Sequence, residues 1–230
     1  MINMRRKSAA ERIDMLIEAA IKVFMRVGYR RAQVADIAHE MGVAPGTVYL
    51  YVESKEALFD IALQRAFGRD PQIDPERLPV PAPSHQQILS RIAAEFSPLG
   101  LEKAGMGAAG ESAIEAELTE LFSRLYDAIH LKHRGIGMIE ASAHDWPELF
   151  ELFYGVRREL IRELTEYLNI RIGQGLVRNV PDTRSAARLI LETISWFAYH
   201  RTSDPEPASV SEVSGRATVV DMLVHALLLE

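Results

Sequence analysis

Residues 11–58 read ERIDMLIEAAIKVFMRVGYRRAQVADIAHEMGVAPGTVYLYVESKEAL, and their spacing decides the fold. Ile13, Ile17, Ala20, Phe24 and Val27 recur at alternating steps of four and three, which lays one apolar stripe along a helix. Gly28 follows where a left-handed residue ends a helix without strain, and Tyr29 is expected to fold back as the accompanying apolar contact. A short second helix carries Val34, Ile37, Ala38 and Met41 and stops at Gly42. Pro45, which needs no N–H at a first helical position, opens a third helix running to about Tyr51. Ser54 is placed to cap a fourth, with Glu56 near its positive end and Leu58, Phe59 and Ala62 as its apolar side.

Three short helices whose last two are separated by a glycine turn make a helix-turn-helix, and its second helix fits a major groove about 12 Å wide. Val48 and Val52 are expected to point back into the protein, and Thr47, Tyr49 and Tyr51 to point outward with Pro45 and Gly46. Gly46 lets the backbone approach a phosphate or a base closely, and the hydroxyls of Thr47 and the tyrosines have the chemistry to donate to phosphate oxygens.

On these residues the stretch resembles the DNA-binding domain of the TetR family of regulators. The matching pieces are AA--VF---GY, V-DIA--MGV, GT-Y-Y and SKE-L, in the family's order and at its spacing. The resemblance implies that Thr47 and Tyr49 contact the DNA backbone, that Pro45 and Gly46 face the groove, and that Lys55 at the start of the fourth helix grips phosphate. Tyr51 occupies a position often held by His or Phe. Gln33, with Val34 behind it, stands where the family commonly has a Thr or Ser that caps the second helix and touches phosphate. Ala44 and Pro45 replace residues that are usually polar, so specificity is expected to lean on Tyr51, on apolar contact with thymine methyls and on the basic tail Arg5, Arg6 and Lys7.

Composition agrees with a helical protein that touches nucleic acid at one end. The chain has 230 residues, is 48% hydrophobic, carries a net charge of −6 and has no cysteine. Disulfides, thiolate chemistry and cysteine-based zinc sites are therefore excluded. Within residues 1–56, Lys and Arg slightly outnumber Asp and Glu, so the head is mildly basic on an acidic body. Neither a signal peptide nor a long apolar run is visible, so a cytoplasmic protein without a membrane segment is expected.

Beyond the head, Pro71, Pro75, Pro79, Pro81 and Pro83 read as a semi-rigid linker. Ser84 and Gln87 form a capping box for a fifth helix with Ile88, Ile92 and Phe96 on one face, ended by Pro98 and Gly100. Further helices are expected around Leu118–Ile129, from about Asp145 to Leu168, from Asp182 through Phe197, and over Val219–Leu227. The expected fold is all-α with about nine helices. A helix-turn-helix domain spans 1–56, and a helical regulatory and dimerisation domain spans 57–230.

The resemblance implies a homodimer built from the last two helices, and the apolar stripes of Leu189, Phe197, Val220, Leu223 and Leu227 fit that role. It also implies a small-molecule effector, and Phe96, Tyr126, Met138, Phe153 and Trp196 are the candidate lining of a pocket for a hydrophobic or planar ligand. The expected partners are thus double-stranded DNA, an effector and a second copy, and the expected role is that of a repressor with no cofactor and no catalytic residue. Three competing readings exist. Gly105–Gly110 spells GxGxxG, but no strand precedes it and no βαβ pattern surrounds it. His130, His133, Glu140, His144 and Asp145 form a metal-like cluster that a metal-dependent helical enzyme would use. A constitutive DNA-binding module without an effector would instead have a tight body free of pockets.

Overall fold

The computed structural model describes residues 8–96, 111–204 and 210–229. Their regular structure is helical: α1 (Ala9–Arg31), α2 (Val34–Met41), α3 (Pro45–Val48), α4 (Lys55–Ala66), α5 (His85–Glu95), α6 (Glu111–Leu131), α7 (His133–Ala143), α8 (Pro147–Gly173), α9 (Thr183–Ala198) and α10 (Glu212–His225). Short 3-10 turns cover Pro75–Arg77 and His200–Ser203. The all-α expectation holds, with ten helices among the described residues rather than nine. The addition is α7, a stretch carrying Gly135 and Gly137 to which the sequence reading assigns no helix. Gly135 has a packing role instead, since a Cβ there would come within 2.6 Å of the Phe67 ring. Arg5, Arg6, Lys7, Pro98, Gly100 and the GxGxxG stretch lie outside the described residues.

The chain divides into two compact units, and the division does not follow the expected boundary at residue 56. The first unit takes residues up to 96 together with 132–153, and the second takes 111–131 together with 154 onward. In the first unit α1 packs against α2, α4 and α7. Its stripe is buried as the spacing predicts, with Ile13, Leu16, Ile17, Ala20, Ile21 and Phe24 facing Ile37, Val48, Leu58, Phe59 and Ala62 in one core. Aromatic rings fill the centre. Phe59 meets Phe24 and Tyr29 edge-on at 5.0 Å each, and Trp146 lies 5.4 Å from Tyr29.

Gly28 does not end α1 outright. It breaks the helical path at φ 75° and ψ 169°, and the helix resumes to Arg31. The reason is α7. A Cβ on Gly28 would sit 2.2 Å from the Ala141 carbonyl oxygen, so only glycine allows the two backbones to cross there. The break also frees the Tyr29 N–H, which donates to Ser142 Oγ at 3.0 Å, and Ser142 in turn donates to the Met138 carbonyl at 2.6 Å. Tyr29 does fold back, and its hydroxyl donates to Glu56 at 2.5 Å. That bond holds the Glu56 carboxyl below its ordinary value of 4.5.

The proline-rich linker is irregular, as expected, but it is tied down. Val80 N–H donates to the Tyr51 carbonyl at 2.8 Å and the Val80 carbonyl accepts from Glu53 N–H at 2.9 Å, an isolated parallel bridge between Val52 and Val80. Ala82 N–H donates to the Glu53 carboxylate at 3.1 Å. This strap fixes the segment that joins α3 to α4.

The second unit is a layered bundle of α6, the later turns of α8, α9 and α10. Its core includes Leu118, Phe122 and Tyr126 from α6, Leu164 and Leu168 from α8, Ile190 and Ile194 from α9, and Val219, Val220 and Leu223 from α10, with Leu227 just beyond. Arg171 is fully buried in it. Its guanidinium reaches Glu117 through Nε at 2.9 Å and Nη2 at 2.6 Å, and donates from Nη1 to Gln174 at 2.8 Å. Tyr167 donates to the same Glu117 oxygen at 2.6 Å. A buried cation needs such a saturated set of acceptors to be tolerated.

Two outcomes follow for the first unit. Gly28→Ala forces a Cβ into the Ala141 carbonyl in a backbone region that L-residues avoid, and is expected to destabilise the protein by about 3 kcal/mol or more in a chemical-denaturation experiment. Tyr29→Phe removes the donor to Glu56 and keeps the ring, at a cost of about 1 kcal/mol at neutral pH. Because the folded carboxyl is depressed, the gap between wild type and Tyr29→Phe should be full above pH 4.5 and shrink as pH falls through and below that value.

Candidate nucleic-acid interface

The reading edge is a short element held from behind. Ala44 leads into α3 with extended backbone, Pro45 takes the first helical position, and the helix proper ends at Val48. Hydrogen bonds Leu50 N to Thr47 O and Tyr51 N to Val48 O continue it as a turn, so the expected helix to Tyr51 is one turn shorter in regular form. Val48 and Val52 are buried, as their spacing requires, and Pro45 and Gly46 are exposed with Thr47 half-buried. Tyr49 is 51% exposed.

Tyr51 departs from the outward orientation expected of it. It is only 6% exposed. The strap from Val80 bonds to its carbonyl, and its side chain belongs to the core. The residue that stands out beside Tyr49 is Leu50, 65% exposed, which the sequence reading passed over. The available signal was the helical phase: with Val48 and Val52 facing inward, position 50 lies on the opposite side.

Gln33 precedes α2 and is exposed, and its side-chain amide makes no capping bond to the helix. The reciprocal half of a cap is present, because Gln33 N–H donates to Asp36 at 3.0 Å. Val34 is half-buried behind it. Gly42 turns the chain at φ 73°, and its N–H bonds His39 O at 3.0 Å.

Lys55 is more tightly engaged than a free phosphate clamp. Its ammonium donates to the Ala32 carbonyl at 3.2 Å and the Arg30 carbonyl at 3.4 Å, and lies 4.5 Å from the centre of the Tyr29 ring. It thus closes the carbonyl end of α1, where a cation is favoured. Partial burial pulls its pKa down, and neighbouring Glu56 opposes that shift. An ammonium has three donors, so one remains for an oxygen outside the protein.

The other site residues read from sequence are scattered. Phe96, Met138 and Phe153 belong to the first unit, and Tyr126 and Trp196 to the second. Met138, Tyr126 and Phe153 are buried in the cores of their units, and Trp196 is 41% exposed. Of the five dimer candidates, Val220, Leu223 and Leu227 are buried inside the second unit and Phe197 is half-buried against the same core. A side chain already out of water within one chain gains nothing from a partner, so these are core residues. Leu189 is the exception at 60% exposed, and it shares the surface of α9 and α10 with Trp196, Val213 and Met222.

His130 and His133 fall on different helices, since α6 ends at Leu131 and α7 begins at His133. His130 Nδ1 lies 3.1 Å from the Ala198 carbonyl and 3.4 Å from Glu212. Among the described residues no three His, Asp or Glu gather closely enough to hold a metal ion. Among the same residues no helix is long and apolar enough to cross a membrane.

Comparison with known proteins agrees with this geometry. Residues 16–61 match the family described as bacterial regulatory proteins, tetR family. The fatty acid metabolism regulator protein of Bacillus subtilis is 32% identical over 82 residues, which cover 36% of this chain and 42% of that protein. An uncharacterised HTH-type regulator of the same organism, YvdT, is 38% identical over 52 residues, 23% of this chain and 27% of that protein. The chain therefore spans less than half the length of these curated relatives. The MbdR regulator from Azoarcus sp. CIB shares the fold with a TM-score of 0.58 at 12% identity, over 95% of this chain and 100% of that one. Over residues 16–61, which take in most of α1, then α2, α3 and the start of α4, with the recognition segment exposed and its back buried, the chain is similar to the tetR family of bacterial regulatory proteins.

Proposed function

We propose that the protein is a ligand-responsive repressor that binds a near-palindromic DNA operator as a homodimer. The observation that carries this reading is the shape of the α3 edge. Pro45, Gly46, Tyr49 and Leu50 are exposed on one side of an element whose other side, Val48 and Val52, is buried. Open space surrounds Gly46, since a Cβ built there meets no atom within 4 Å. Such an edge suits a major groove. Pro45, Gly46 and Leu50 face base edges and thymine methyls, Thr47 and Tyr49 donate to phosphates, and Gln33, Val34 and Lys55 flank the contact. Tyr51 acts from behind by packing.

Two heads must engage together for useful affinity, with recognition helices about 34–36 Å apart. The exposed apolar residues Leu189 and Trp196, seven positions apart and so on one face of α9, support pairing through that face, because exposed apolar surface of this kind is seldom left to water. An effector that prefers a different head spacing lowers DNA affinity by its preference for that state, and this releases the operator. The Bacillus relative is by name a fatty acid metabolism regulator, but the aligned stretch is too short to carry its effector over to this chain. On this reading the site of action is the cytoplasm.

The decisive experiment is footprinting and gel retardation on the DNA flanking the protein's own gene. Gly46→Leu should leave stability within about 0.5 kcal/mol of wild type, because the site is open, yet weaken operator binding by about tenfold or more. Unchanged binding would remove α3 from the interface. Lys55→Met should lower the slope of log affinity against log salt by about one per protomer, with a lower melting temperature because the α1 carbonyls lose their donor. Leu189→Glu with Trp196→Glu is expected to give a folded monomer by sedimentation that no longer retards operator DNA. A dimer persisting in that variant would place the interface elsewhere.

A further inference from the structure

From Val43 to Val52 the chain has no charged residue, no histidine and no side-chain amide. The side chains that read guanine, adenine and cytosine by hydrogen bonds in the major groove are Arg, Lys, Asn, Gln, Asp and Glu, and α3 with the turn after it has none of them. The Gln33 amide belongs to the start of α2. On the proposed reading the Thr47 and Tyr49 hydroxyls serve phosphate. What this edge offers to a base is therefore apolar.

Leu50 is 65% exposed. An exposed leucine by itself is ordinary. This one is held in place by its surroundings. Its N–H donates to the Thr47 carbonyl at 3.3 Å, its neighbours Val48, Tyr51 and Val52 are buried, and the Val80 N–H fixes the Tyr51 carbonyl at 2.8 Å. With those neighbours committed to the core, position 50 stays on the outer side. Four residues earlier, a Cβ on Gly46 would meet no atom within 4 Å. The missing side chain there lets the α3 backbone come close to the base edges, and that approach carries Leu50 to them.

In the major groove the base pairs show one apolar group, the C5 methyl of thymine. We propose that Leu50 reads a pyrimidine C5 methyl, so that each operator half-site carries a thymine under Leu50. The inference rests on the DNA-binding role proposed above, and it names the residue and the atom that the reading edge selects. A leucine has no polar atom with which to tell the O4 of thymine from the N4 amine of cytosine. 5-Methylcytosine has the same methyl at the same ring position. It therefore replaces thymine at this contact, whereas uracil and unmodified cytosine do not. Cytosine methylation at that pair creates a contact instead of blocking one.

The test selects binding sites from random duplex DNA with the full chain and follows affinity by fluorescence anisotropy. Deoxyuridine, placed for thymidine one position at a time, should reveal one pair in each half-site where loss of the methyl costs about fourfold, and about tenfold or more with both half-sites changed. Leu50→Ala lies at an exposed position and should fold as wild type. It should bind the thymine site about tenfold more weakly and no longer respond to uracil at that pair. With cytosine at the same pair of one half-site, 5-methylation should raise wild-type affinity about fourfold and leave that of Leu50→Ala unchanged. Uracil sensitivity that persists in Leu50→Ala, its absence at every thymidine, or equal binding of cytosine and 5-methylcytosine would each overturn the assignment to Leu50 while leaving DNA binding intact. Failure to enrich any duplex would overturn the DNA-binding role and this inference with it.

Discussion

The contact between α1 and α7 at Gly28 is the constraint on which the first unit depends. There the two backbones approach more closely than any side chain allows. The broken helical turn is recovered by the Tyr29 N–H bond to Ser142. That crossing orients the last turn of α1, which sets the Tyr29 ring between Phe24, Phe59 and Trp146 and aims its hydroxyl at Glu56. Lys55 then closes the same end of α1 and lies over the same ring. The start of α4 is thereby held to the end of α1, and α3 is suspended between α2 and α4 on Val48 and Val52. A helix of four residues has no stability of its own, so its geometry is inherited from this frame.

The frame also divides the labour of the charged and polar residues. Tyr51, Lys55 and Glu56 sit within the motif by which the family is known, yet in this chain each is occupied by the protein itself, through burial, carbonyl ligation or a short hydrogen bond. The residues with unobstructed surface are fewer: Pro45, Gly46, Tyr49 and Leu50. None of them carries a charge. On the proposed reading, base discrimination rests on shape and apolar contact, and the electrostatic attraction to phosphate comes from surrounding cations, with Arg30 and Arg31 exposed at the end of α1.

Much of the head was legible because short-range rules govern it. The stripe from Ile13 to Phe24, the glycine at 42, the proline at 45 and the cap at Ser54 each report a local requirement, and each appears where the residue type demands. What sequence hid was long-range. The stretch that forms α7 gives no clear helical signal around Gly135, because nothing local shows the Phe67 ring that needs the space there. Val220, Leu223 and Leu227 read as a surface stripe because their cover, α6 and α9, is distant in sequence. The two-unit division was equally hidden, since α7 joins a unit whose other helices precede it by dozens of residues. Tyr51 was misoriented for a related reason, because its cover is a proline strap that gives no periodic signal.

That discontinuity sets a timetable for biosynthesis. The partner of Tyr29 lies 113 residues downstream, so the helices nearest the N-terminus leave the ribosome long before the segment that locks them exists. At about 5–20 residues per second, they wait roughly 6 to 23 seconds for Ser142 and Trp146. During that interval Phe24, Tyr29 and Phe59 lack part of their apolar cover, and the nascent chain presents chaperones with a grip that the finished protein conceals. The part made first is among the last to become rigid.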